Sequence, residues 1–175
     1  MIVDLGANIG LFGAFILGRF PDARVTGFEP EPSNAVLHRR TIAANDGASW
    51  ELVEAAAATV DGTVQFTAGG STTGHVGDGN LTVVSVDVFS YLEGVDLLKI
   101  DIEGAEWALL ADPRFAGVSA RAVALEYHPR GCPSSDARAA AHETLRAAGY
   151  DTVDHDSPSF AGLANQGMVW AWKRP

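Results

Sequence analysis

A chain of 175 residues, 47% of them apolar, carries enough hydrophobic surface for one compact domain over 1–175 and too much for a disordered segment. Its formal net charge is -10, and lysine occurs only as Lys99 and Lys173. Without a basic stripe to neutralise phosphates the composition argues against nucleic acid as a partner, and no apolar run reaches the roughly 18 residues of a membrane span.

Cys132 is the single cysteine, so no internal disulfide can form. The first apolar run has no basic segment before it and is interrupted by Asp4, Gly6, Asn8 and Gly10, unlike a leader peptide. A cytoplasmic protein is expected.

In chain order, the pattern predicts a buried strand at 2–5, an apolar helix at 11–20 and a strand at 25–28. Ser33 is expected to cap a helix that runs to 45 and stops at Gly47. Strands are expected at 50–54 and 64–67, around the turn "DGT". The stretch "AGGSTTGHVGDGN" reads as a mobile loop, followed by a strand at 81–86 and a helical turn at 88–92. The run at 96–102 reads as a central strand, 105–110 as a helix, and 122–127 as another buried strand. Ser134 or Ser135 should cap the next helix, which ends at Gly149 with Ala141, Leu145 and Ala148 inward; 168–172 closes the fold as an antiparallel strand. Strands alternating with helices define an α/β fold, a doubly wound sheet that binds ligands beyond the carboxyl ends of its strands.

Four stretches carry chemistry. In "VDLGANIG", Gly6 permits a tight turn and Gly10 a close backbone approach at the helix start. A dinucleotide fingerprint needs glycine at position 8, where this chain has Asn8, and Asp4 suits an ammonium group better than a phosphate. A nucleoside ligand with an amino-acid end fits better than NAD. In "GFEPEPSN", Glu29 ends the second strand, where an acid can accept hydrogen bonds from both ribose hydroxyls. Pro30 and Pro32 stiffen the segment after it, and Glu31 is expected to face solvent.

"DLLKIDIEGAEWALL" sets Asp101 and Glu103 at the carboxyl edge of a central strand, on one side if the strand continues. Glu106 follows one helical turn later, and helix capping accounts for at least one of these acids. "ALEYHP" places Glu126 and His128 at the end of the next core strand, so Asp101, Glu103 and His128 should share a cleft. His128 is the expected general base, because an unperturbed imidazole titrates at about 6.5. His75, in the glycine-rich loop, is the next candidate, although an ordinary loop role suits it better. Arg39-Arg40 reads as a solvated helix face.

"VDLGANIGLFG", "GFEPEPSN", "LLKIDIEGAE" and "LEYHP" together resemble the FkbM family of S-adenosylmethionine-dependent methyltransferases, from Ile2 to about Pro129. The resemblance implies a Rossmann-like class I methyltransferase sheet, mostly parallel with an antiparallel C-terminal strand. It also implies S-adenosyl-L-methionine as cofactor and O-methylation of a small hydroxylated molecule such as a natural product or sugar. By that resemblance Asp4, Gly6, Asn8 and Gly10 line the methionine end of the cofactor, and Glu29, with Pro30 beside it, holds the ribose. Asp101, Glu103 and Glu106 match the family's acidic segment near the reacting centre, a match that does not assign their individual roles; the pKa argument makes His128 the base and Asp101 the orienter or a metal ligand.

A divalent metal between Asp101 and Glu126 or His128 is chemically open, but the spacing is not a metal signature and the reading does not require one. Family members usually carry residues before the first strand. This chain starts on it, so the site is expected either to be unusually open or to be closed by the glycine-rich loop or a second subunit, as in a homodimer. Two alternatives stand beside this reading: an NAD-dependent oxidoreductase, and a catalytically inactive cofactor-binding or assembly protein.

Overall fold

The computed structural model describes residues 1–45, 49–68, 74–155 and 165–174. Along the chain come β1 (Ile2–Leu5), α1 (Leu11–Arg19), β2 (Val25–Phe28), α2 (Pro32–Ala44) and β3 (Trp50–Val53). Then follow β4 (Ala56–Ala58), β5 (Gly62–Thr67), β6 (His75–Val76), β7 (Leu81–Asp87) and β8 (Leu97–Ile100). The last part holds α3 (Glu106–Ala111), β9 (Ala122–Tyr127), α4 (Ala137–Ala147), β10 (Asp151–His155) and β11 (Gly167–Trp172).

Seven strands form the main sheet in the order β10-β11-β9-β8-β1-β2-β3. The pairs from β9 through β8, β1 and β2 to β3 are parallel, and β11 lies antiparallel between β9 and β10. This is the mostly parallel α/β sheet, with its antiparallel C-terminal strand, that the alternating pattern implies. Val3, Leu5, Leu98, Ile100, Val123 and Leu125 are buried, as strands covered on both faces require. Ala141, Leu145 and Ala148 face inward from α4 as expected.

Several local expectations give way to competing contacts. Asp136 caps α4, accepting from the Ala139 amide at 2.9 Å, because the Ser134 hydroxyl accepts from the Asp136 amide instead. α2 starts one residue before Ser33, at Pro32, whose missing N–H costs nothing in a first turn. Ser33 donates its hydroxyl to Glu31 at 2.7 Å rather than capping the helix. The expected stop at Gly47 lies outside the described residues. α1 buries only Gly13 and Ile16, leaving Leu11 and Phe15 exposed. Arg39 and Arg40 are exposed on α2, with Arg39 paired to Glu54.

The strands expected on either side of "DGT" do not pair with each other. β3 extends the main sheet beside β2, and β5 pairs antiparallel with β7 in a second sheet of order β4-β7-β5-β6. β4 is three alanines, which have little intrinsic strand preference; it becomes a strand by parallel pairing with β7. Of the glycine-rich stretch, 69–73 lie outside the described residues, whereas His75 and Val76 pair with β5.

Candidate active site

The site opens at the carboxyl ends of β1, β2, β8 and β9. β1 sits between β2 and β8, so the chain leaves it toward one side and returns on the other, the place where such sheets bind ligands. After β1 the chain turns through Gly6 at φ +83. A Cβ there would lie 1.7 Å from the Asp101 carbonyl oxygen, so the turn can approach β8 only as glycine. Asn8 follows at φ 49, a left-handed conformation that asparagine tolerates.

One cavity lies beside this turn. Gly6, Asn8, Glu29, Pro30 and Glu31 form one wall; Phe28, Ala56, Ala57, Phe66, Val76 and Ile102 supply an apolar slot, and Asp101 and Glu103 border the far end. The second sheet, which the sequence pattern did not announce, provides four of the apolar residues. Glu29 is buried, and each of its oxygens accepts a backbone amide at 2.8 Å, one from Asn8 and the other from Glu31. Burial raises its pKa, although these hydrogen bonds oppose the shift.

Glu31 corrects the expectation of a solvent-facing acid. It is 4% exposed, and its Oε2 is a buried acceptor with no hydrogen-bond partner among the described residues, on the wall of this cavity. An apolar slot, a buried carboxylate pair and a glycine turn fit a nucleoside with hydroxyl and amine donors. The donor set therefore fits S-adenosylmethionine.

A second cavity adjoins the first at Gly6, Asn8, Asn34 and Asp101, and is walled by Ile9, Leu11, Phe12 and Leu37. Asp4 and Lys99 lie on its floor. Lys99 Nζ is 3.1 Å from Asp4 Oδ1 and 3.4 Å from both Asp101 Oδ2 and the Gly6 carbonyl oxygen. Burial works against the Lys99 charge, but Asp4 and Asp101 outweigh it and raise the pKa. The ammonium that meets Asp4 is thus the protein's own. Lys99 received no role from the sequence alone, yet a lysine within a buried strand needs an acid partner, and that signal was present. Gly10 borders neither cavity: a Cβ on it would strike His38 at 2.6 Å, so its glycine serves helix packing.

β8 and β9 are parallel neighbours, so Asp101, Glu103, Glu126 and His128 do converge. Alternation is not what aligns Asp101 with Glu103, because β8 ends at Ile100 and Glu103 sits at φ 55 in a left-handed turn. Glu106 is fully buried; its Oε1 accepts from the His128 amide at 2.9 Å and lies 3.1 Å from His128 Nδ1, while its Oε2 accepts from the Gly104 amide. This acid positions the histidine. His128 Nε2 lies 3.6 Å from both Glu103 Oε2 and Glu126 Oε1.

Burial disfavours a charged His128, but the nearby carboxylates of Glu106, Glu126 and Glu103 prevail and push its pKa up to about 10. Three carboxylates around the ring set His128 apart from an isolated imidazole. Burial raises the pKa of Asp101 and of Glu103, whereas the His128 and Gln166 contacts lower that of Glu126 despite its burial. His75 is half-buried on β6, and Cys132 is a half-buried free thiol outside both cavities.

The sheet order, the glycine turn after β1 and the acid after β2 define a class I S-adenosylmethionine-dependent methyltransferase fold. The methyltransferase FkbM domain model matches residues 4–152, and the chain belongs to that family. Methyltransferase sdnD from Sordaria araneosa is 44% identical over 48 residues, a match that covers 27% of this chain and only 18% of that protein. Among solved structures, precorrin-6y C5,15-methyltransferase from Geobacter metallireducens superposes with a TM-score of 0.58 at 16% identity, over 98% of this chain and 80% of that one. Cofactor-bound Rv0187 from MTB gives 0.55 at 19% identity, over 99% of this chain and 72% of that one. The dehydrogenase alternative falls with the family assignment.

Proposed function

We propose that this chain transfers a methyl group from S-adenosylmethionine to a hydroxyl of a small molecule. The observation that carries this reading is the meeting of two cavities at Asp101: one bounded by the buried acids Glu29 and Glu31, and an apolar one bounded by Phe12 and Leu37. When bound, the cofactor supplies an electrophilic methyl on a sulfonium, whose carbon–sulfur bond breaks as the acceptor oxygen attaches. Glu29 and Glu31 hold the nucleoside, and the Gly6 turn brings its other end toward Asp101. Asp101 orients the acceptor hydroxyl.

Glu103 takes the hydroxyl proton, replacing His128 in that role. It borders the first cavity and its side chain is 30% exposed, which leaves a route for the proton to solvent. Its left-handed backbone also fits a functional position, since a non-glycine residue there costs about 1 kcal/mol and persists only where its surroundings hold it. Alignment of acceptor and methyl donor in adjoining cavities can supply roughly 7–11 kcal/mol of the barrier.

The test is transfer of labelled methyl from the cofactor to a panel of hydroxylated small molecules, with the product analysed for a methyl ether. Label on oxygen supports the proposal. Label on nitrogen or carbon overturns the O-methyl assignment, and no transfer to any acceptor favours the inactive cofactor-binding alternative.

A further inference from the structure

We propose that Asp101, Glu126 and His128 form a binding site for one divalent cation. Each offers a ligand atom, and these atoms all lie within 4.8 Å of one another. Ligands held at about 2.0–2.2 Å from one ion stand about 3 Å apart across a right angle and about 4.4 Å apart across the ion. The 3.6 Å between His128 Nε2 and Glu126 Oε1 is too long for a hydrogen bond but falls within that span.

The independent sign is the histidine. His128 is 4% exposed, and its Nε2 is buried without a hydrogen-bond partner among the described residues. The Glu106 carboxylate meets Nδ1 at 3.1 Å, and the His128 amide anchors to the same oxygen. A carboxylate on the far ring nitrogen fixes the tautomer and aims the near one, the support a metal-ligating histidine characteristically has. A cation there would meet the Nε2 lone pair and the Glu126 carboxylate that faces it.

Charge points the same way. Asp101, Glu103, Glu106 and Glu126 gather around His128 and Lys99, so acids outnumber bases at the sheet edge. Two carboxylate oxygens with one imidazole nitrogen suit a cation of intermediate hardness, such as Mn2+. The site borders the first cavity through Asp101, so a bound cation is placed to polarise an acceptor oxygen. That consequence rests on the methyl-transfer reading, whereas cation binding does not.

The experiment is titration of the chelator-treated full chain with MnCl2, followed by electron paramagnetic resonance, in the absence of any cofactor. One saturable site is expected below about 1 mM. Bound Mn2+ should show nitrogen hyperfine coupling from the imidazole, a readout that needs no variant. Asp101→Asn and Glu126→Gln should each weaken binding by at least about tenfold, and Glu106→Gln by about tenfold through the ring it positions. Glu93→Gln, on an exposed acid away from the cavities, should leave it unchanged. No saturable binding, or a bound ion without nitrogen coupling, overturns the site. Calorimetry with S-adenosylhomocysteine on the same metal-free sample reports the cofactor site separately, so failure of one reading is distinguishable from failure of the other.

Discussion

Lys99 Nζ stands 3.1 Å from Asp4 Oδ1, joining the centres of β8 and β1 beneath the glycine turn. Asp4 is 1% exposed, so the pair is removed from water at one end and reaches the second cavity at the other. Removing one partner of a buried ion pair strands the other charge, which costs about 3–5 kcal/mol.

Lys99→Met is therefore expected to destabilise the fold by about 3 kcal/mol, measured by urea unfolding. The double variant Lys99→Met, Asp4→Asn should recover part of that loss, because the deeply buried Asp4 charge is no longer stranded. Equal losses in the single and double variants would show that the pair adds nothing beyond packing.

Glu29 carries two duties. Glu29→Ala should weaken S-adenosylhomocysteine binding by about 1.5–3 kcal/mol in calorimetry, through loss of a charged acceptor. It should also lower the unfolding free energy by about 1–3 kcal/mol, because the Asn8 and Glu31 amides lose their acceptor. Reading Glu29 as a peripheral strand-end acid would give no stability loss. Unchanged stability in a thermal melt would contradict the buried hydrogen bonds.

Glu103 separates strain from chemistry. Glu103→Gly relieves a left-handed non-glycine backbone and should keep or raise stability by up to about 1 kcal/mol. The same variant should lower turnover by about 10²–10⁴ while leaving cofactor affinity nearly unchanged. Full activity in Glu103→Gly would place the proton acceptor elsewhere.

Asp154 gives the acid dependence. The Arg138 guanidinium first, and the His142 ring 2.9 Å away after it, hold this carboxyl well below the usual range. Its folded pKa is depressed, so the unfolded chain binds the proton more readily. The contribution is full above the unfolded value of about 4 and is lost as pH falls through the folded value. Asp154→Asn should therefore lower Tm at pH 7, with the gap to the parent closing on acidification. A gap that widens toward low pH would reverse the sign.

Much of the scaffold was legible along the chain because it rests on neighbours in sequence. The apolar run ending at Leu5, the turn at Gly6 and the next run ending at Phe28 dictate a strand, a helix start and a second strand through local backbone geometry. That alternation places Glu29 and Asp101 at strand ends, and it makes Asp101 and Glu126 neighbours. Tertiary structure decided what those groups are. The partner of Asp4 is Lys99, far along the chain; Glu31 became a cavity acid because the second sheet covers it; β4, with no strand-forming residues, exists only through β7. The surroundings of His128 were the least legible, because its basicity depends on burial and on every nearby charge. That dependence runs through contacts among Glu103, Glu106, Glu126 and His128 that only the packed sheet edge creates.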